Sequence, residues 1–360
     1  MAVPRPEVQS ASPGTQPPAG LPPAARRCFR LALATGLALA LGYGLNLGVP
    51  FIAPLFAVLL GAQPGPPPGL KQSAVLVGFL MLSLGVGVLL GPLLQLAPVS
   101  ALIVIALGLF LSNRIALRGG KVMPGTLLAF GFTVIPAASC VSQALASALI
   151  AAMALGLSVA LLCLWLVYPW FPEEGAPAPA DTSANAPDGD WLSLRATLIV
   201  LPAFLFTLTN PAAYLPLTVK SILLGREATQ VSLRNAGFEL IGSTALGGLC
   251  AVAIWVCLSL AVELWFFTGW VTLCALMLAS RATGARPSRL APTFWINSLT
   301  TALILLGAAV QDSASGKDVY QAFAVRLALF FAVTVYALLA MRLLEARRAP
   351  AVGVSAPGAC

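Results

Sequence analysis

The sequence predicts an all-α fold: a polytopic membrane protein with about twelve transmembrane helices in two parallel six-helix repeats. Three observations predict it. Only 9% of the residues are charged, whereas an ordinary soluble domain has about 25%. The mean hydropathy of +0.93 is too high for a surface that faces water. Apolar runs of about 20 residues, the length that crosses a bilayer as a helix, recur along the chain.

The chain begins with a segment that is not predicted to fold. Residues 1–25 are mainly Pro, Ala, Ser and Gly, cannot bury a core, and are expected to form a disordered cytoplasmic tail. Arg26, Arg27 and Arg30 then precede the first apolar run, and more apolar runs follow it in place of a polar mature chain. The first run is therefore predicted to be a retained span and not a cleaved signal.

Six apolar runs follow in each half. In the first repeat, residues 26–170, they are 31–49, 50–62, 73–94, 99–111, 122–138 and 141–170. In the second repeat, residues 191–345, they are 194–209, 211–225, 237–258, 264–280, 291–310 and 320–344. Residues 171–190 contain five acids, no base and many Pro and Ala, which indicates a flexible acidic cytoplasmic linker. Residues 346–360 are predicted to be a second cytoplasmic tail.

The basic residues support this count of spans, because cytoplasmic loops retain Lys and Arg. With the amino terminus inside, inner loops and tails receive every Lys and Arg except Lys317, in an outer loop, and Lys220 and Arg326, within spans. One missed span would destroy the asymmetry, so both termini are predicted to be cytoplasmic. The formal charge of +8 is interpreted as a topology signal, and no nucleic acid is expected as a partner.

The two halves also match each other at nearly fixed spacing. An offset of 164 relates Asn46 to Asn210, Gly78 to Gly242 and the Leu-Leu-Gly triplets at 59–61 and 223–225, and an offset of 168 relates Lys121 to Arg289 and Pro124 to Pro292. Each half holds an even number of spans. Two copies would therefore share one orientation about an axis along the membrane normal, as in many transporters.

Residues that the chain lacks exclude several function classes. The sequence has no histidine, so hydrolytic triads, Cys-His nucleophiles and imidazole-based zinc sites lack their base or ligand. The seven cysteines form no CxxC pair, and no GxxxxGK[ST] segment marks an ATP-binding loop. We therefore expect a protein that is not an enzyme and has no cofactor and no metal site.

Two short spans at matching positions each contain an internal proline, Pro54 in residues 50–62 and Pro216 in residues 211–225. A proline lacks the backbone donor and leaves a carbonyl one turn earlier without its partner. Irregular backbone at membrane depth is tolerated only where it is buried in protein or faces water. Paired short, interrupted spans therefore indicate a transporter's substrate site. Ordinary proline kinks between packed spans are the alternative.

Polar residues near these spans complete the predicted substrate site. Asn46 and Asn210 precede the two spans and either contact a ligand or cap a helix. Tyr214 either contributes to the site or is an interfacial aromatic residue. Arg326, roughly two turns into the last span, is the first choice for binding an organic carboxylate, with a structural partner as the alternative. Asp312, at the start of the preceding loop, is expected to be solvated.

Two further ionisable residues are candidates for coupling transport to an ion gradient, because charges within spans usually face a cavity or a partner. They are Lys220 and Glu239. Snorkelling toward the headgroups is the alternative for Lys220. A structural ion pair with Lys220 or Arg234 is the alternative for Glu239.

Four segments carry a resemblance to a known family: the basic start Arg30-Leu31-Ala32-Leu33, the short second span ending near Gln63-Pro64, the Gly-rich third span, and Arg234-Asn235-Ala236-Gly237 leading to Gly242 and Gly247-Gly248. Over nearly all of residues 28–344 the chain resembles the fusaric acid resistance (FUSC) and aromatic acid exporter family. It departs from the larger relatives in having only residues 171–190 between its halves. Glu239 and Val75 also stand where relatives tend to have Arg.

The resemblance implies an inner-membrane efflux permease for small amphiphilic or aromatic organic acids in a Gram-negative bacterium. It also implies a periplasmic adaptor and an outer-membrane channel as partners, and it leaves a homo-oligomer open. Without an ATP-binding loop, pumping would use an ion gradient or another subunit.

The rival interpretation is a non-transporting scaffold or assembly subunit of an adaptor-linked secretion system. A membrane enzyme acting on lipid phosphate is a third, but the basic cluster Arg281, Arg286 and Arg289 has no acid near it.

Overall fold

A computed structural model describes residues 21–173, 189–230, 236–316 and 318–348. The described residues form twelve α-helices and no strand: α1 (Pro23–Gly44), α2 (Ile52–Gly61), α3 (Leu70–Leu96), α4 (Pro98–Leu117), α5 (Val122–Ser139), α6 (Gln143–Val167), α7 (Gly189–Thr209), α8 (Pro211–Gln230), α9 (Ala236–Leu258), α10 (Leu264–Ala282), α11 (Pro292–Ala314) and α12 (Val319–Arg348). Each predicted span corresponds to one helix. Most of both predicted tails and of the linker, together with Arg234 and Lys317, lies outside the described residues.

Nine of the helices, α3–α7 and α9–α12, are long and apolar enough to cross a bilayer. This confirms the all-α fold of a polytopic membrane protein. The other three differ for local reasons. Helix α1 carries Arg26, Arg27 and Arg30 in its first turns, α2 has only 10 residues, and α8 contains Lys220 and Arg226. Prolines begin α4, α8 and α11, where the first amide has no intrahelical acceptor to lose.

The packing of the first six helices recurs in the last six. Helix α2 packs between α1 and α6, and α5 packs on α3, α4 and α6. In the same way α8 packs between α7 and α12, and α11 packs on α9, α10 and α12. Contacts between the halves are matched as well, because α1 packs on α10 as α7 packs on α4, and α2 packs on α11 as α8 packs on α5. The two six-helix units therefore have equivalent helices at their shared interface.

Helices α5 and α11 form the centre of the molecule. Their most apolar segments are 78% and 83% buried, against 28% for α10 and 22% for α12. The outer helices expose large apolar side chains such as Leu89 and Val256, which is the arrangement that lipid requires. Helix α5 approaches α3 closely because Gly87 lies against the backbone of Gly131, and Gly247 of α9 lies in the same way against Ser298 of α11.

The bundle has two ends, which we name by their loops. The distal end holds the α1–α2 connection, the start of α8 and the α11–α12 connection; the proximal end holds the α2–α3 connection, the start of α7 and the end of α12. At the proximal end an ion pair ties the first helix of each six-helix unit to the end of that unit: Arg30 donates to Glu173, which follows α6, at 2.8 Å, and Arg195 donates to Glu345 of α12 at 2.8 Å. Glu173 lies in the first residues of the predicted linker, where Phe171 also stacks on Phe29 with ring centroids 5.6 Å apart.

Candidate functional site

A cavity of about 280 Å³ lies between the two six-helix units in the distal half of the bundle. Its walls come from three pairs of equivalent helices, α2 and α8, α5 and α11, and α6 and α12. The contributions of α2 and α8 are related by the offset of 164, because Phe51, Ile52 and Leu55 line one side and Leu215, Pro216 and Val219 line the other. Three equivalent positions of α2 and α8 therefore line this central cavity, one set from each unit.

The central cavity is apolar except at its distal wall. Phe56 and Phe130 meet edge to face at its base, with ring centroids 6.2 Å apart, and Leu149 and Met153 of α6 form a side wall. The polar side chains among its lining are Gln311, Asp312, Ser315 and Arg326, all from the α11–α12 hairpin. Such a surface suits a small ligand with an apolar body and one charged end.

Arg326 and Asp312 form a bidentate ion pair at this distal wall. Arg326 Nη1 bonds Asp312 Oδ2, and Nη2 donates to Oδ1 at 3.1 Å. The side chains are only 13% and 6% exposed. Arg326 Nε is buried and donates to no described residue, so its N–H is unused within the described chain. The prediction that Asp312 is solvated is wrong, because the α11–α12 hairpin places it beneath Arg326.

The same two residues also line a second opening, of about 420 Å³, on the distal side of the pair. We call it the distal vestibule. It is bounded by Tyr214 of α8 and by Asp318, Gln321 and Val325 around the start of α12. The Arg326–Asp312 pair therefore stands between the central cavity and the distal vestibule.

The two prolines lie in different surroundings. Pro216 lies within α8 and lines the central cavity, and the hydroxyls of Thr207 and Thr218 lie 2.6 Å apart beside it. Pro54 is the third residue of α2, in the first turn, where an amide donor has no intrahelical acceptor. It is buried and is not among the residues that line the cavity. Pro216 therefore lies in the interior of α8, which runs as one continuous helix from Pro211 to Gln230, and Pro54 lies at the start of α2, which is short because it begins at Ile52.

The three uncharged candidates lie distal to the cavity. Asn46 has a φ of 50° and ends α1: its N–H donates to Tyr43 O and that of Leu47 to Gly42 O, at 3.0 and 3.1 Å. Asn46 therefore belongs to the turn that ends α1, one residue after the cap residue Leu45, and does not cap the start of α2, whose cap residue is Phe51. Asn210 is exposed just before α8, and Tyr214 packs on Phe206 with ring centroids 4.7 Å apart and faces the distal vestibule.

Lys220 lies outside the cavity in a buried polar cluster of α8, α9 and α11. Its Nζ donates to Asn297 Oδ1 and, at 2.7 Å, to Thr301 Oγ1, and Asn297 Nδ2 donates to Ser243 Oγ at 2.6 Å. Lys220 is 0% exposed, so snorkelling does not describe it. Glu239 is partly buried in the first turn of α9, and within the described chain it forms no ion pair with Lys220.

Sequence reasoning missed Asp312, the Phe56–Phe130 contact and Asn297. The sequence around Asp312 and Asn297 does not identify the distant residues that they contact. The sequence does indicate that Asn297 needs a partner, since an amide seven residues into a predicted span needs hydrogen bonds when buried. In the described residues no group of three His, Cys, Asp or Glu side chains has the arrangement to hold a metal ion.

The fold and cavity define a membrane-embedded helical protein built from two six-helix units. Residues 27–167 match the sequence model of a family described as "protein of unknown function (DUF2955)". The match extends from the first turns of α1 to the last residue of α6, which is one six-helix unit and less than half of the chain. The family matched is this one and not the FUSC family that the sequence resembles. No curated protein and no solved structure matches the chain.

Proposed function

We propose that the protein is a permease of the bacterial inner membrane that exports small amphiphilic or aromatic organic acids, with both termini cytoplasmic. The observation that carries this proposal is the central cavity, which places a largely buried guanidinium at one wall of an apolar chamber between two equivalent units. Sites at the interface of repeats are typical of transporters. The substrate class also draws on the resemblance to the FUSC exporters.

The cavity suits the two parts of such a substrate. Its volume of about 280 Å³ is near the lower end of ligand pockets, about 300–1,000 Å³, so the ligand is small. The ring of an aromatic acid would lie among Phe51, Phe56 and Met153, and its carboxylate would accept hydrogen bonds from Arg326. A guanidinium holds a carboxylate well because both groups are planar and can form two parallel hydrogen bonds.

In this mechanism Asp312 and the substrate compete for Arg326. The ion pair closes the central cavity on the distal side when the cavity is empty, and the substrate carboxylate replaces Asp312 when it binds. Rocking of the two units would then open the cavity to one end of the bundle at a time. The Phe56–Phe130 contact is the proposed barrier on the proximal side.

Transport is proposed to use an ion gradient, with Lys220 and Glu239 as the candidate coupling residues. Lys220 is supported by its burial beside α11, the helix that also carries Asp312. Glu239 is supported only by its partly buried place in α9, away from the cavity. Gradient-driven efflux that is unchanged in Glu239→Gln would remove this residue from the mechanism. A periplasmic adaptor and an outer-membrane channel are the proposed partners.

The test is accumulation of radiolabelled benzoate in cells that lack the gene and carry a plasmid copy. The wild-type protein is expected to lower the accumulated benzoate, and Arg326→Gln to weaken this effect about tenfold, the loss expected for a charged hydrogen bond. Arg286→Gln, which removes an exposed charge from a proximal loop, is the matched control. Equal accumulation with and without the wild-type protein, across a panel of aromatic acids, would support the scaffold interpretation instead.

A further inference from the structure

A separate cavity of about 320 Å³ lies at the proximal end of α2. We call it the proximal cavity. Its walls are the last turn of α2, the connection from α2 to α3, the first turns of α3, and the side chains of Arg30, Met123 and Leu164. The central cavity ends at Phe56 and the proximal cavity begins at Leu60, so the two are separated by roughly 6 Å along the axis of α2.

Arg30 supplies the charge of the proximal cavity. It is 3% exposed, its Nη2 donates to Glu173 at 2.8 Å, and its guanidinium lies 5.5 Å from the centre of the Tyr168 ring. Its Nη1 is buried and donates to no described residue. A buried guanidinium is usually fully hydrogen-bonded, so an unused Nη1 indicates a partner outside the described residues.

The charge balance around Arg30 favours an anion. Arg27 and Arg30 both pair with Glu173, so one carboxylate is shared by two guanidinium groups. Among the described residues this leaves one positive charge in excess, and the attraction for an anion is strongest at Arg30, whose side chain is 4% exposed against 34% for Arg27. A carboxylate that bonds Nη1 would neutralise this charge and satisfy the unused donor together.

The cavity wall is held in place before any ligand binds. The α2–α3 connection contains Pro64, Pro66, Pro67 and Pro68, whose rings fix φ. Three hydrogen bonds anchor it: Gly65 N–H donates to Glu173 at 3.0 Å, Trp165 Nε1 donates to Pro68 O at 2.8 Å, and Ser73 Oγ donates to Pro68 O at 3.1 Å. A rigid wall lowers the entropy that binding must otherwise overcome.

We propose that the proximal cavity is a second carboxylate-binding site, in which Arg30 holds the substrate anion before it passes α2 to Arg326. The ligand class is the small organic acid of the proposed function, on which this inference rests. The path through the protein then has a guanidinium at each end of α2, with the Phe56–Phe130 contact between them. The headgroup of an anionic lipid has the same chemistry, so the test must distinguish the two sources.

The experiment measures equilibrium binding of radiolabelled benzoate to the purified full-length protein in phosphatidylcholine nanodiscs. The wild-type protein is the reference, and every other sample carries Arg326→Gln, which removes the guanidinium of the central cavity. Gln72→Trp fills the proximal cavity from the exposed start of α3 without touching the ion pair, and Lys71→Trp is its matched control on the neighbouring exposed residue. Arg30→Gln removes the guanidinium itself.

We expect Arg326→Gln alone and Arg326→Gln with Lys71→Trp to bind benzoate, and both Gln72→Trp and Arg30→Gln to weaken that binding about tenfold or more. Equal binding in the Gln72→Trp and Lys71→Trp proteins would overturn the inference, even if Arg30→Gln fails to fold. Loss of binding in Arg326→Gln alone would overturn the inference and leave the proposed function intact, whereas no binding to the wild-type protein would overturn both. Displacement of benzoate from the Arg326→Gln protein by added phosphatidylglycerol would assign Arg30 to a lipid headgroup and also overturn the inference.

Discussion

Lys220 shows how a cation is kept within a membrane bundle. An ammonium group that is removed from water must recover its hydrogen bonds from the protein. Asn297 and Thr301 supply acceptors, and Ser243 in turn holds the Asn297 amide. The cluster joins α8, α9 and α11 on the side of the second unit away from the central cavity.

Replacing Asn297 with Ala tests this cluster. The change removes an acceptor from Lys220 and a donor from Ser243, so we expect a loss of about 3 kcal/mol or more, the upper part of the range for an unsatisfied buried charge. Ser298→Ala on the same helix is the control, because its hydroxyl bonds only Phe294 O of its own helix among the described residues. Thermal unfolding in detergent gives the comparison, and equal melting temperatures for the two variants would contradict it.

At the proximal end Glu173 forms ion pairs with Arg27 and Arg30 and accepts a hydrogen bond from Gly65 N–H. Burial raises the pKa of Glu173, but hydrogen bonds from Arg30 and Gly65 N–H, with the charges of Arg30 and Arg27, outweigh it and hold the pKa below its ordinary value of 4.5. The ionised form is therefore favoured in the folded protein. Its contribution to stability is complete above the unfolded pKa and is lost as the pH falls through the folded pKa.

A pH series of Glu173→Gln tests that sign. The variant is expected to melt below the wild-type protein by a constant interval between about pH 5 and 7, and the interval is expected to shrink below about pH 4.5 as Glu173 takes up a proton. Melting temperatures measured in one detergent at each pH give the interval. An interval that widens as the pH falls would have the wrong sign for this account.

The sequence identified Arg326 as a buried cation but did not reveal its surroundings. The position of Arg326 deep in an apolar run can be read directly from the sequence. The partner of Arg326 cannot, because Asp312 lies next to a loop and becomes buried only when α12 folds back over α11. The same limit applies to Asn46, whose left-handed backbone is a property of the end of α1 and not of the span that follows.

At the scale of single elements, α3 and α5 pack so closely because they lack side chains where they cross. A Cβ on Gly87 would overlap the backbone oxygen of Gly131, whereas a Cβ on Gly85, two residues earlier on α3, would meet nothing within 4 Å. The glycine spacing in the sequence suggests close packing, but it does not separate the glycine that is in contact from the one that is not.

Alanine substitutions at these two glycines are expected to differ in their effect on stability, and only the change at Gly87 should destabilise the protein. Gly87→Ala should destabilise the protein by about 1–3 kcal/mol, because the helices must separate. Gly85→Ala should be neutral or stabilise it by up to about 1 kcal/mol, because Ala favours the helix over Gly. Unfolding in detergent measures both. Similar losses at both positions would mean that the α3–α5 contact lies elsewhere.

The helices themselves were largely predictable, because an apolar run in lipid must satisfy its backbone internally as a helix. The termini were less so. Helix α3 extends to Leu96 and α12 to Arg348, beyond the apolar runs that predicted them, since a helix continues past its apolar segment until a cap or loop ends it. Helix α2 starts at Ile52, which moves Pro54 from an interruption into a first turn.

At the scale of the whole molecule, the orientation of the bundle remains a prediction from its charges. The ion pairs Arg30–Glu173 and Arg195–Glu345 and the exposed Arg286 all lie at the proximal end. If the proximal end is cytoplasmic, these cations follow the positive-inside rule. The central cavity then lies in the outer half of the membrane and the proximal cavity in the inner half.

Cysteine labelling tests this orientation in a variant that lacks the native cysteines. Leu260→Cys, in the distal α9–α10 connection where Leu260 is 80% exposed, is expected to react with a membrane-impermeant maleimide on intact spheroplasts. Arg286→Cys is expected to react only after permeabilisation. Labelling at Arg286→Cys before permeabilisation, with Leu260→Cys protected, would reverse the orientation and the direction of transport.

The central claim is that organic anions cross the protein through the cavity between the two units. Its most direct test is benzoate flux into proteoliposomes that contain Val219→Trp, which fills the cavity from α8, or Val256→Trp, which adds the same side chain to the lipid-facing surface of α9. We predict that Val256→Trp transports benzoate like the wild-type protein and that Val219→Trp reduces the flux at least about tenfold, since a filled cavity leaves no room for the ring. Equal flux in the two variants would contradict the claim.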